Sequence, residues 1–154
     1  MFCIAANLNE GDMELAWTDD LNIGNAVLDS DHKILLGMVN RVINAIKTED
    51  CKVLSHAFEL LETKLRTHFE YEENIARAVN FSYAQHMQAE QYFLREIDLL
   101  KEELLSRNCE CCAEAVKHYS DTLGGLLIDH IAVKDVLMKP VLQNHPYNLS
   151  PALS

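Results

Sequence analysis

The chain runs to 154 residues, of which 49% are hydrophobic, enough for one domain with a sizeable core and too few to suggest two. Thirteen Lys and Arg against twenty-four Asp and Glu give a formal charge of −11, which repels nucleic acid and anionic membrane surfaces and leaves neutral or cationic partners. No stretch approaches the roughly 18 consecutive apolar residues that a membrane span requires.

The opening segment Met1-Phe2-Cys3-Ile4-Ala5-Ala6 is apolar but lacks a basic flank and runs into Asn7, Asn9 and Glu10, which makes it a poor secretory signal. Five cysteines, an odd number, with three of them in Cys109-Glu110-Cys111-Cys112, do not read as a paired disulfide framework. A reducing compartment is therefore expected, with the cytoplasm as default.

In chain order, residues 1–29 read as an N-terminal arm, 30–142 as one helical unit and 143–154 as coil. All three prolines lie beyond residue 139, so the strongest breaker of long helices is missing from the body of the chain. Helical periodicity bounds four segments at Ser30–Lys47, Lys52–Arg77, Tyr83–Ser106 and Cys112–Met138, with Asp29 or Ser30 placed to cap the first. The short connections favour antiparallel neighbours. The fold class is all-α, an up-down-up-down four-helix bundle.

Steps of three and four trace one core stripe per helix. The first reads Leu28, His32, Leu35, Val39, Val42, Ile46, and the second Leu54, Phe58, Leu61, Leu65, His68, Glu72. The third reads His86, Glu90, Phe93, Ile97, Leu100, Leu104, and the fourth Val116, Tyr119, Leu123, Leu126, His130, Val133, Leu137. Burying such imidazoles and carboxylates unpaired costs on the order of 2–7 kcal/mol for a neutral polar group and more for a charge, so something must satisfy them. His32 and His86 sit near the starts of helices one and three, while His68 and His130 sit toward the ends of helices two and four. In an antiparallel bundle these four meet at one end. Glu72 follows His68 by four residues and Glu90 follows His86 by four, so each pair lies about 40° apart around its helix and can reach one centre. A nitrogen and oxygen ligand set without sulfur suits iron, manganese or zinc better than copper(I).

Trp17, Leu28-Asp29-Ser30-Asp31-His32-Lys33, His68-Phe69-Glu70-Tyr71-Glu72-Glu73 and His130-Ile131-Ala132-Val133-Lys134-Asp135 resemble, in order, the motifs of bacterial hemerythrin-like domains, the bacteriohemerythrin family. The similarity covers about residues 15–140. It implies two non-haem iron ions, carboxylate-bridged and joined by an oxo or hydroxo bridge, as cofactor. By the same resemblance His32 and His68 ligate one iron, His86 and His130 the other, and Glu72 and Asp135 bridge them. The implied activity is binding or sensing of dioxygen, peroxide or nitric oxide, with a partner protein or a further effector domain as reader of the signal. A di-iron oxidase or peroxidase, or an iron-holding protein, is the alternative.

Two positions fit the resemblance with difficulty. Five residues after His130, Asp135 points about 140° away on an ideal helix, so a local distortion such as a π-bulge is needed. The family's third helix usually carries HxxxH, whereas this chain has His86-Met87-Gln88-Ala89-Glu90. Glu90 as ligand replaces a neutral group by an anion, favours the ferric state and opposes simple oxygen carriage.

The remaining features read as structure. His56, His118 and His145 fall off the stripes and are expected at the surface. Gly124-Gly125 is a packing pair, and Tyr119, about three turns from the metal end, is a core aromatic with a tethered hydroxyl. The cluster of Cys109, Cys111 and Cys112 has the composition of a thiol switch or a soft-metal site but lacks the second ligand pair of a zinc knuckle. No Gly-rich phosphate loop, Ser/His/Asp arrangement or basic recognition helix occurs.

Overall fold

The computed structural model describes residues 14–143. After a short 3-10 turn at Asp19–Leu21 come α1 (Ala26–Thr48), α2 (Cys51–Ala78), α3 (Ala84–Ser106) and α4 (Ala113–Asp129). The chain then passes through a π turn (His130–Lys134) and a 3-10 turn (Asp135–Met138) into α5 (Lys139–Gln143). The architecture is the expected all-α bundle, with α1 packed on α2 and α4, α2 on α3, and α3 on the π turn. No helix among the described residues is long and apolar enough to cross a membrane.

The first helix begins earlier than its expected start at Ser30. Asn25 is its cap, accepting hydrogen bonds from Val27 N (3.1 Å) and Leu28 N (3.0 Å). Leu28 must already face the core, which draws the helix back by a turn. Asp29, freed from capping, accepts from Ile23 N at 2.8 Å and ties the preceding segment to the helix. Asp50 caps α2, accepting from Lys52 N and Val53 N. Gln143, expected as the first residue of the coil, is instead the last of α5, while the remaining coil residues 144–154 and the arm up to residue 13 lie outside the described residues.

All expected core positions of α1, α2 and α3 are buried. The fourth stripe departs from expectation: Leu126 is half-buried, and Val133 and Leu137 are exposed at 51% and 55%. The buried series is instead Leu123, Leu127, Ile131, Asp135, Met138. Its three steps of four up to Asp135 are wider than the 3.6 residues of an α-helical turn, and the π turn absorbs the difference before the 3-10 turn takes the last step of three to Met138. Gly124 faces Leu15, whose Cδ2 would lie 2.9 Å from an added Cβ, so the close approach there is to the N-terminal segment; Gly125 has open space.

The cysteines also depart from expectation. Cys51 at the start of α2 and Cys109 after α3 form a disulfide with their Cα atoms 5.5 Å apart, and Cys112 is disulfide-bonded as well. Cys111 is a free thiol. An odd count and a clustered triplet hid the pairing because the partner lies 58 residues away in sequence, and only the antiparallel topology brings the α1–α2 and α3–α4 turns to the same end. The inference from unpaired cysteines to a reducing compartment loses its premise, since structural disulfides persist where the surroundings are oxidising.

Candidate metal centre

At the end of the bundle away from that disulfide, His32, His68, Glu72, His130 and Asp135 bring their ligand atoms within 4.8 Å of one another, and all five are buried. Glu72 Oε1 lies 2.5 Å from His68 Nε2, 3.2 Å from His32 Nε2 and 3.3 Å from His130 Nε2. Asp135 Oδ2 lies 2.8 Å from the Nε2 atoms of both His32 and His130.

Asp135 arrives through the distortion that its register demands. Its N–H bonds to the carbonyl of His130, five residues back, and the π turn places the carboxylate on the same side as the imidazole. His86 stands at the edge of the cluster, its Nε2 3.7 Å from Asp135 Oδ1 and its ring stacked on Tyr83. Glu90 is not in the five-residue group. Its carboxyl is buried and accepts a hydrogen bond from the Tyr83 hydroxyl, which also lies 3.4 Å from Glu72 Oε2.

The arrangement fits a cation. Both oxygens of Asp135 and His86 Nε2 are buried without a hydrogen-bond partner, despite the close Asp135–imidazole distances. Carboxylate oxygens and imidazole nitrogens turned toward one volume without hydrogen-bond geometry are satisfied by a metal ion at their centre, and otherwise incur the desolvation cost of orphaned polar groups.

Electrostatics in the metal-free protein agree. Burial works against the charge on Glu72, but His68 and His130 outweigh it and hold the carboxyl well below the usual range. Burial likewise opposes protonation of His32 and His130. The carboxylates of Asp135 and Glu72 prevail, carrying His32 up to about 9 and His130 well above its ordinary value. The His32 proton thus stabilises the metal-free fold fully below about pH 6.5, and that contribution is lost as pH rises through about 9. A cation must displace such protons. Loading the metal-free protein near neutral pH is expected to release protons from His32 and His130, read as calorimetric heats that differ between buffers of unlike ionisation enthalpy. Equal heats in the two buffers would contradict it.

Two groups around the centre escaped sequence reasoning. Asp31 accepts a hydrogen bond from His68 Nδ1 at 2.6 Å and pairs with Lys64. With Nδ1 carrying the proton, the Nε2 lone pair of His68 faces the cluster, the orientation a metal requires. Asp31 lay within the Leu28–Lys33 motif, and its place one residue before the candidate ligand His32 was the available signal. Tyr83 heads the third expected segment three residues before His86, in phase with that stripe, but the stripe was read only from His86 onward. Burial raises Glu90 to about 8, with the Tyr83 hydrogen bond opposing and Glu72 adding. Of the residues expected at the surface, His56 and His118 are exposed and His145 lies outside the described residues.

Helices that converge buried imidazoles and bridging-capable carboxylates on one point define a histidine–carboxylate metal protein of the four-helix-bundle class. The family model "Hemerythrin HHE cation binding domain" matches residues 24–142, and the chain belongs to the hemerythrin family. It is similar to bacteriohemerythrin of Pseudomonas aeruginosa (strain LESB58), at 27% identity over 84 residues, 54% of this chain and 55% of that protein. Bacteriohemerythrin of Stenotrophomonas maltophilia (strain R551-3) is 25% identical over the same shares. The match spans about half the length of these curated relatives.

Proposed function

We propose that the cluster holds two iron ions and that the protein binds or senses dioxygen or a related small oxidant, peroxide or nitric oxide, at that centre. The observation that carries this reading is the set of three imidazoles and two carboxylates converging at one depth of the bundle core. His32, His68, Glu72, His86, His130 and Asp135 supply the ligands, with Glu72 and Asp135 lying between histidines of different helices as bridges do. Glu90, whose carboxyl accepts from the Tyr83 hydroxyl, would complete the set if it turned to the ion. The irons, when bound, supply a reversible change of oxidation state and a position for the oxidant.

The chain's own groups do the rest. Asp31 fixes the His68 tautomer, the apolar wall of Phe69 and Phe93 beside His130 excludes water, and Tyr83 holds a proton between Glu72 and Glu90. That acidic pair, Glu90 with Tyr83, also favours a second reading, a di-iron oxidase or peroxidase. A separate partner or effector domain would read a sensor's output.

Protein produced with ample iron is expected to carry two irons per chain, because the candidate ligands outnumber the positions of one six-coordinate ion. Metal analysis joined to a visible spectrum titrated with oxygen checks both halves. Reproducibly one metal, or zinc alone from iron-rich medium, would count against the di-iron reading. Sustained peroxide turnover with added reductant would favour the enzyme.

A further inference from the structure

A groove of about 280 Å³ opens between α2 and α3 at the level of the metal cluster. Arg66, Glu70 and Glu73 from α2 and Met87 and Leu94 from α3 form its walls. Phe69 and Glu90 also line it, and both are buried, which makes them its floor.

One layer of side chains separates that floor from the centre. The Phe69 ring lies 5.1 Å from the His130 ring and 5.8 Å from the His68 ring, centroid to centroid. Behind Glu90 stands Tyr83, whose hydroxyl is 3.4 Å from Glu72. We infer that this groove is the route by which a small uncharged ligand reaches the metal centre from solvent, with Phe69 and the Glu90–Tyr83 pair as the gate. The inference rests on the proposed oxidant-binding function for its biological meaning.

The chemistry of the walls selects the class of ligand. Glu70 balances Arg66 and Glu73 pairs with Arg77 at 2.7 Å, so the rim carries no net charge to draw in an ion of either sign. Met87, Leu94 and Phe69 give an apolar passage that costs a neutral diatomic molecule nothing in lost hydrogen bonds. Passage requires only rotation of the Phe69 ring or a shift of the Glu90–Tyr83 hydrogen bond, and side-chain motions of that kind are fast compared with backbone opening.

The test uses dissolved dioxygen as the probe. In iron-free protein under oxygen pressure, paramagnetic relaxation of the Phe69 ring protons is expected to exceed that of the Phe58 ring, which is fully buried in the apolar core away from the cluster. Leu94→Trp is expected to bring Phe69 down to the level of Phe58. Met87→Trp, at a side chain already 39% exposed, repeats the blockade should the first variant fold poorly. Equal relaxation of the two rings in the unaltered protein, or blocking variants that leave Phe69 unchanged, would overturn the route.

In the iron-loaded, reduced protein, Met87→Trp is expected to slow the bimolecular reaction with oxygen by about fivefold while leaving the final spectrum unchanged. An unaltered rate would also overturn the route. Iron-loaded protein that shows no response to oxygen would end the functional reading, while relaxation in the iron-free protein would still decide whether the groove conducts.

Discussion

Replacing His68 or His130 by alanine is expected to halve or abolish iron loading, whereas the same change at His56 or His118 leaves it intact. His68 and His130 are buried, with their Nε2 atoms 3.3 Å apart and both directed at Glu72. His56 and His118 are exposed. On the proposed assignment, loss of either imidazole removes one of the three histidines that converge on Glu72 and Asp135.

Asp31→Asn provides a graded comparison, because it keeps the volume but offers His68 Nδ1 an amide in place of a carboxylate. Such outer partners typically contribute about 10- to 100-fold in metal affinity. The three outcomes should therefore rank, with ligand variants most affected, Asp31→Asn intermediate and the surface histidines unaffected. Metal content after competition with a chelator measures them, and circular dichroism of the metal-free variants shows whether each still folds. Equal losses from the buried and exposed sets would end the assignment of ligands by helical phase.

How far the site was legible follows from how regular its helices are. On α1, α2 and α3 the 3-4 spacing is unbroken, and His32, His68, Glu72, His86 and Glu90 fall on buried positions as expected. On α4 the same arithmetic holds through Leu123, takes half-buried Leu126 where Leu127 is the core residue, places His130 correctly, and then turns Val133 and Leu137 inward, where the structure exposes them. Periodicity assumes a constant twist, and a π turn changes it without any glycine or proline as marker. Asp135 showed the conflict in advance, because its place in the motif and its angle on an ideal helix could not both hold. Asp31 with Lys64 and the cysteine pairing were hidden for another reason. Each depends on which helix faces which across the bundle, information carried by tertiary packing and not by local spacing.

Removing the Cys51–Cys109 disulfide is expected to cost the metal-free fold roughly 4 kcal/mol. The bond closes a loop across 58 residues of sequence, and restricting a denatured chain over that length gives an effect of about this size by loop-closure entropy. The junction it clamps would not hold itself as firmly. Glu49, Asn108 and Cys109 all have positive φ, at 56°, 53° and 61°, conformations that non-glycine residues adopt at some cost. Besides the disulfide, a hydrogen bond from Cys111 N to Glu49 Oε1, 3.2 Å long and exposed, links the two turns. Cys109 is 1% exposed, so alanine there also leaves a small cavity, and Cys51→Ala alone is the cleaner variant. A domain of this size should lose on the order of 10 °C in Tm for such a change. Because the bond lies at the end of the bundle away from His32, His68 and His130, iron bound per folded chain should be unchanged at temperatures where the variant remains folded. Thermal unfolding of the metal-free proteins, with and without a dithiol reductant, measures the first effect, and metal analysis the second. Unaltered protein should fall toward the variant when reduced, while the variant itself moves less. A variant as stable as its parent would mean that the cross-link does not constrain the unfolded chain, and lost iron binding in a folded variant would mean that the two ends of the bundle are coupled.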